Sequence, residues 1–284
     1  MSVRHGELTR RLCERHMGCQ LSWKFDHATH IGGRAEQQDR VCVLNAARGN
    51  RHLLVVADGM GGHAAGGEAA QAVIEAARIL FAGSSRRTDP SAFLTDLCAS
   101  AHDRVTALDN GRGRSPGSTC VMLYLKGDEA HWAHIGDSRL YHFRGGRAVS
   151  RTTDHSLHEL NRGRQPVAKL DAGDDRRRNG IFMRLGGTNS PAPDLGSSLA
   201  LSGDLFLVCS DGYWGPVPEK ETARLIGDEP FPENGASRLV SKARRCGGRA
   251  GDNIGLAVAQ WLPSSARRRG GLRSLFSFWP GCGT

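Results

Sequence analysis

A chain of 284 residues that is 39% hydrophobic can bury a substantial core, and no apolar stretch in it approaches the ~20 residues that span a bilayer. Its formal charge of +9 gathers toward the C-terminus: Arg238, Lys242, Arg244, Arg245 and Arg249 lie within 236–251, and Arg267, Arg268, Arg269 and Arg273 within 262–284, with no acid in either stretch. No aromatic or groove-reading motif accompanies this charge, so it reads as a solvated helix face and a loose tail, and no nucleic-acid partner is expected.

In chain order, the first clear signal is Asp39 ahead of the apolar run 41–44. The next is the run 52–57, which ends at Asp58-Gly59-Met60-Gly61-Gly62; four to eight consecutive apolar residues closed by turn formers suit a buried strand. Ala69, Ala70, Val73, Ile74, Ala77, Leu80 and Phe81 recur at helical spacing and predict a helix over 68–82. A second helix is predicted over 91–109, with Phe93, Leu97, Cys98, Ala101, Val105 and Leu108 on one face and Ser91 as its cap. Strands follow at 118–125, 129–135 and 138–143, joined by tight turns at 126–128 and at Gly136-Asp137. The stretch 153–185 lacks apolar periodicity and carries Arg162, Arg164, Arg176, Arg177 and Arg178, the pattern of a functional loop. Another apolar run, 204–209, leads into Ser210-Asp211-Gly212, and Asp252-Asn253 opens the last one, 254–261. Two helices between groups of strands indicate an α+β domain.

Asp39, Asp58, Asp137, Asp211 and Asp252 therefore stand at the ends of apparent core strands. Aspartate beside glycine is ordinary turn chemistry at any one of these places, but five cases together call for a common cause. An ionised carboxylate leaving the core is costly to desolvate without a cation, hydrogen bonds or water. Oxygen ligands without a histidine or cysteine cluster favour a hard divalent ion, magnesium or manganese.

The segments Arg34-Ala-Glu-Gln-Gln-Asp39, Asp58-Gly-Met-Gly-Gly-His63, Gly117-Ser-Thr119, Gly136-Asp-Ser-Arg139, Thr153-Asp-His-Ser156, Arg184-Leu-Gly186, Ser210-Asp-Gly212 and Asp252-Asn253 resemble, in this order, the signature of the metal-dependent type-2C (PPM) serine/threonine phosphatases of bacterial type. Each motif alone is weak; their order, spacing and strand context are specific together. The resemblance runs from about residue 25 to 262. It implies a central β-sandwich of two antiparallel sheets flanked by helices, with an N-terminal extension over 1–24, a phosphatase domain over 25–262 and a basic tail over 263–284.

The resemblance also implies two Mn2+ or Mg2+ ions, bridged by Asp58, with the Gly59 carbonyl as a ligand and Asp211 and Asp252 completing the second ion's shell. Asp39 then holds a metal water from behind, Asp137 serves a third, weaker ion, Arg34 grips the phosphate and Asn253 orients Asp252 or a metal water. Ser118 and Thr119 are expected to support the sheet. Physically, two divalent ions supply a nucleophile at neutral pH and neutralise phosphoryl oxygens, while a guanidinium grips two phosphate oxygens in parallel.

This chain departs from the eukaryotic pattern at Met60, where a histidine suited to protonating the leaving oxygen stands; His63 does not replace it. It also has Gln37-Gln38-Asp39 where Asn-Glu-Asp is usual, which removes a carboxylate. The expected activity is hydrolysis of phosphoserine and phosphothreonine by a monomeric cytoplasmic enzyme, with a serine/threonine kinase and its substrates as partners and type VI secretion as one candidate context. A phosphatase of another phosphorylated regulator and a non-catalytic binding protein of the same fold are the alternatives. Residues 1–20 lack the apolar centre of a signal peptide. The eight cysteines are scattered without a CxxC pair, as expected for reduced core residues. The tail Leu272-Arg-Ser-Leu-Phe-Ser-Phe-Trp279 mixes aromatics with basic flanks, a composition suited to touching a membrane surface or a partner.

Overall fold

The computed structural model of the chain describes residues 21–46, 50–61, 64–111, 115–157, 159, 180–227, 230–231 and 233–263. Among them a first strand, β1 (Leu21–His30), begins ahead of residue 25 and is followed by β2 (Asp39–Asn45) and β3 (Arg51–Met60). Two helices come next, α1 (Ala64–Gly83) and α2 (Pro90–Thr106). Then follow β4 (Gly117–Ser118), β5 (Cys120–Lys126), β6 (Glu129–Ile135), β7 (Arg139–Arg144), β8 (Arg147–Arg151), β9 (Asp194–Leu199) and β10 (Leu205–Cys209). The described residues end with α3 (Asp211–Trp214), α4 (Glu219–Ile226), α5 (Gly235–Gly247) and β11 (Ile254–Pro263). The expected α+β class and both long helices are found. The α2 cap differs from expectation: Asp89, not Ser91, accepts a hydrogen bond from the Ala92 amide, and Pro90 occupies the first turn, where its missing N–H costs nothing.

The strands form two antiparallel sheets, one ordered β1-β11-β10-β7-β8 and the other β2-β3-β5-β6-β9, with β4 paired to the end of β3. Strand alternation distributes their side chains between layers. Leu54 and Val56 of β3, Val121 and Leu123 of β5, Phe206 and Val208 of β10 and Ala257 and Ala259 of β11 meet between the sheets, closed at one side by Trp23 and Trp261. The intervening residues Leu53, Val55 and Ala57 face Val73, Ile74 and Ala77 of α1 and Phe93 and Leu97 of α2. On the far side Leu207, Leu256 and Val258 pack on Leu239, Val240 and Ala243 of α5. Central strands are thus buried on both faces, which is why they read as continuous rather than alternating apolar runs. Each fully buried aliphatic side chain contributes roughly 1.5–3 kcal/mol.

Candidate metal centre

The register of β2 against β3 places Asp39 directly opposite Asp58 in one sheet. In the other sheet Cys209 is paired with Leu256, so Asp211, just beyond the end of β10, and Asp252, just before the start of β11, come together. Gly136-Asp137-Ser138 is the crossing between sheets, from β6 to β7. All five sequence-predicted aspartates therefore meet where the ends of the two sheets converge. The Ser210 hydroxyl links the halves: it donates to Asp39 Oδ2 at 2.6 Å and accepts from the Gly255 amide at 2.9 Å.

Burial and mutual repulsion raise the carboxyls of Asp39, Asp58, Asp137 and Asp211. Asp39 is pushed up to about 7, first by burial and then by Asp211 and Asp252, against the Ser210 hydrogen bond. Asp137 is also pushed to about 7 and Asp211 to about 6, burial leading in both. Asp58 is driven well above the carboxylate range by burial and by each of the other four acids, which makes it the electrostatic centre of the group.

Another acid shows how unusual this is. Asp204, completely buried beside β10, receives Arg144 through two nitrogens at 2.8 and 2.7 Å, His142 Nε2 at 2.9 Å and the Leu201 amide at 2.9 Å. These donors hold its carboxyl below the usual value despite burial. In the cluster, by contrast, Asp39 Oδ1, Asp137 Oδ1 and Asp211 Oδ1 are buried with no hydrogen-bond partner. Three buried carboxylate oxygens with no protein donor, among acids that raise one another, fit a hard divalent cation.

The backbone around Asp58 is held as a ligand's would be. Its carbonyl accepts from the Thr119 amide at 2.9 Å and the Ser118 hydroxyl at 3.1 Å, and Thr119 Oγ1 lies 2.7 Å from Ser138 Oγ, beside Asp137. Ser118 and Thr119 thus serve the acidic centre as well as the sheet. Gly59 lies so close to α1 that a β-carbon there would stand 1.8 Å from the Gly66 carbonyl oxygen. Only glycine permits this approach.

Arg34 reaches Asp252 Oδ2 at 2.5 Å while remaining half-exposed, which leaves guanidinium edges facing the cleft. Asn253 differs from expectation. Its side chain does not orient Asp252: Nδ2 donates to the carbonyls of Ile31 (2.7 Å) and Glu36 (2.9 Å), and Oδ1 accepts from the Gln38 amide at 2.8 Å. It clamps the 31–38 loop that carries Arg34, and only its backbone N–H reaches Asp252 Oδ1, at 2.8 Å. No sequence signal distinguished this from a strand-start turn residue. Gln37 Oε1 accepts from the Asp39 amide at 3.1 Å, and the Gln38 side chain lies against Gly66.

A cleft of about 500 Å³ opens over the centre, lined by Arg34, Glu36, Asp58, Met60, Ile181 and Asp252 among others. Met60 occupies the wall, where it has no proton to offer. The expected loop arginines Arg162, Arg164, Arg176, Arg177 and Arg178 and the tail from residue 264 onward lie outside the described residues.

A family model for protein phosphatase 2C matches residues 28–240. Protein phosphatase PhpP of Streptococcus pneumoniae serotype 2 is 29% identical over 216 residues, covering 74% of this chain and 86% of that protein. Among solved structures, the S. agalactiae serine/threonine phosphatase superposes with a TM-score of 0.74 at 26% identity, covering 84% of this chain and 99% of that one. The catalytic domain of the serine/threonine phosphatase PstP, solved with two manganese ions, gives a TM-score of 0.69 at 29% identity over 86% of this chain and all of that domain. With the family model spanning three-quarters of the sequence and the acidic centre assembled in the fold, the chain belongs to the protein phosphatase 2C family.

Proposed function

We propose that the chain is a protein serine/threonine phosphatase that hydrolyses phosphoserine and phosphothreonine at the five-aspartate centre. The observation that carries this reading is the convergence of those acids, three with unpartnered buried oxygens, next to a cleft that Arg34, Asp58 and Asp252 line. Asp58, the Gly59 carbonyl, Asp211 and Asp252 would hold the two core ions, with Asp39 behind them and Asp137 beside a third. Manganese or magnesium, when bound, supplies an activated water at neutral pH and charge to offset the phosphoryl oxygens. Arg34 orients the phosphate through parallel N–H donors, and its loop is kept in place by Asn253. Ser210 fixes the Asp39 carboxylate, so that charge reaches the centre in a set direction.

The PhpP protein and the manganese-bound PstP domain support this reading. We further read the enzyme as a monomer acting in the cytoplasm on phosphoproteins made by a serine/threonine kinase. Among the described residues Cys42, Cys98, Cys120, Cys209 and Cys246 are free thiols, and no described helix is long and apolar enough to cross a membrane. A purely binding scaffold has no use for five mutually repelling acids. The test is phosphate release from a phosphothreonine peptide with manganese, with magnesium and with chelator, alongside Asp211→Asn. Metal-dependent release that falls at least a hundredfold in the variant is expected. A folded wild-type chain that binds manganese by calorimetry yet releases no phosphate would overturn the activity.

A further inference from the structure

Gly136, the residue before Asp137, has its peptide groups taken up by two histidines. Its N–H donates to His155 Nδ1 at 3.1 Å. Its carbonyl accepts from His134 Nε2 at 2.9 Å and from the His155 backbone N–H at 2.7 Å. The rings lie 4.3 Å apart and are buried, and burial lowers His134 to about 4, so it is neutral at physiological pH.

These contacts assign both tautomers. His155 Nδ1 accepts, so its hydrogen is on Nε2, which points to the Asp194 carboxylate at 3.1 Å. His134 donates through Nε2, leaving Nδ1 as a buried lone pair without a partner.

His134, His155 and Asp194 lie close enough together to suggest a metal site of their own. The tautomers oppose it. A cation on His155 Nε2 needs the lone pair there and the hydrogen on Nδ1, where it would meet the Gly136 N–H donor head-on. What the arrangement does suit is restraint of the two peptides that flank Gly136: His155 Nδ1 holds the N–H of the Ile135–Gly136 peptide, and His134 Nε2 and the His155 backbone N–H hold the carbonyl of the Gly136–Asp137 peptide. Gly136 has φ +102°, a conformation that L side chains rarely adopt, and a β-carbon there would stand 2.6 Å from the Thr119 side chain. On the other side Trp214 Nε1 donates to the Asp137 carbonyl at 2.9 Å. Asp137 Oδ1 has no hydrogen bond, so the direction of that carboxylate oxygen rests on this backbone.

We propose that His155 and His134 are positioning residues that lock the two peptides flanking Gly136 and so hold the Asp137 carboxylate toward the acidic centre; this rests on the reading of Asp137 as a cation ligand. The Thr153-Asp-His-Ser156 motif thereby acquires a role. Asp154 anchors it through two bonds to Arg139, at 2.7 and 2.6 Å, and His155 delivers the restraint. Phe182 N–H donates to the His155 carbonyl at 3.0 Å, so the two described ends of the 153–185 loop meet at this residue.

The test is calorimetric titration of the metal-free full chain with manganese. His155→Phe and His134→Leu remove the bonds, whereas His155→Asn keeps an acceptor at the Nδ1 position and His134→Gln keeps a donor at the Nε2 position. Loss of support around a ligand typically weakens metal binding about 10-fold or more. The apolar variants are therefore expected to weaken the weakest manganese event about tenfold, and the amide variants to return it to within about twofold of wild type. Long-range 1H–15N spectra should show both rings as neutral Nε2–H tautomers. Unchanged manganese binding in the apolar variants, with Asp137→Asn losing the weakest event, would overturn the brace. Unchanged binding in Asp137→Asn itself would overturn the ligand reading beneath it. Zinc binding abolished by both Asp194→Asn and His134→Gln would show a metal site in its place.

Discussion

Replacing Asp39 with asparagine removes the buried acid whose charge is resisted by desolvation, Asp211 and Asp252. The folded metal-free chain keeps a proton on Asp39 up to about pH 7, whereas an unfolded chain releases it near 3.8. Between those values the folded state binds more protons. Its stability from this group is therefore full below pH 3.8 and is lost as pH rises through 7. A gap of roughly three units, at about 1.4 kcal/mol each, means that ionised Asp39 costs up to ~4 kcal/mol at pH 7.5. Repulsion is shared among the acids, so a gain of about 2–4 kcal/mol is expected for Asp39→Asn in chelator. The asparagine oxygen can still accept from Ser210. Urea unfolding at pH 7.5, 5 and 4 measures the difference, which should shrink steadily toward zero at the lowest pH. Manganese should stabilise the wild type more at pH 7.5 than at pH 5, and the variant less than the wild type at either. A variant less stable than wild type by the same amount at every pH would refute the account of the centre as an array of repelling carboxylates awaiting a cation.

Arg34→Ala should raise KM for a phosphopeptide about tenfold, as expected for losing charge-assisted hydrogen bonds of ~1.5 kcal/mol or more; steady-state kinetics with unchanged KM would remove its phosphate role. Gly59→Ala forces a β-carbon into the Gly66 carbonyl, so thermal melting should show a loss of about 1–3 kcal/mol and calorimetry weaker manganese binding. Asp204→Ala strands Arg144 and His142 without their acid. It should cost about 3–5 kcal/mol, independent of metal, with activity per folded molecule retained.

Much of this was legible in the chain itself, for a local reason. Strands buried on both faces must be continuously apolar, so the runs before Asp58 and Asp211 announced themselves, and an acid placed where such a strand leaves the core is conspicuous. The helical spacing of Val73, Ile74, Ala77 and Phe81 was equally plain, since one stripe faces the sheet. Asp204 was not legible as a structural acid: it stands at a strand boundary like the metal-site aspartates, and only the approach of Arg144 and His142 from β7 separates the two kinds. Asn253 and His155 escaped for the same reason. A lone asparagine or histidine has no periodicity, and its bonds run to backbone atoms 215–222 and 19 residues away in sequence. Composition and spacing thus determined the central strands, the two long helices and which acids stood at the strand ends, because those depend on neighbours within a few residues, whereas the half-exposed strands β1, β8 and β9 gave no such apolar run. Only the tertiary structure decided which carboxylates are neutralised by protein donors and which are left facing one another, because that depends on which strands the two sheets bring side by side.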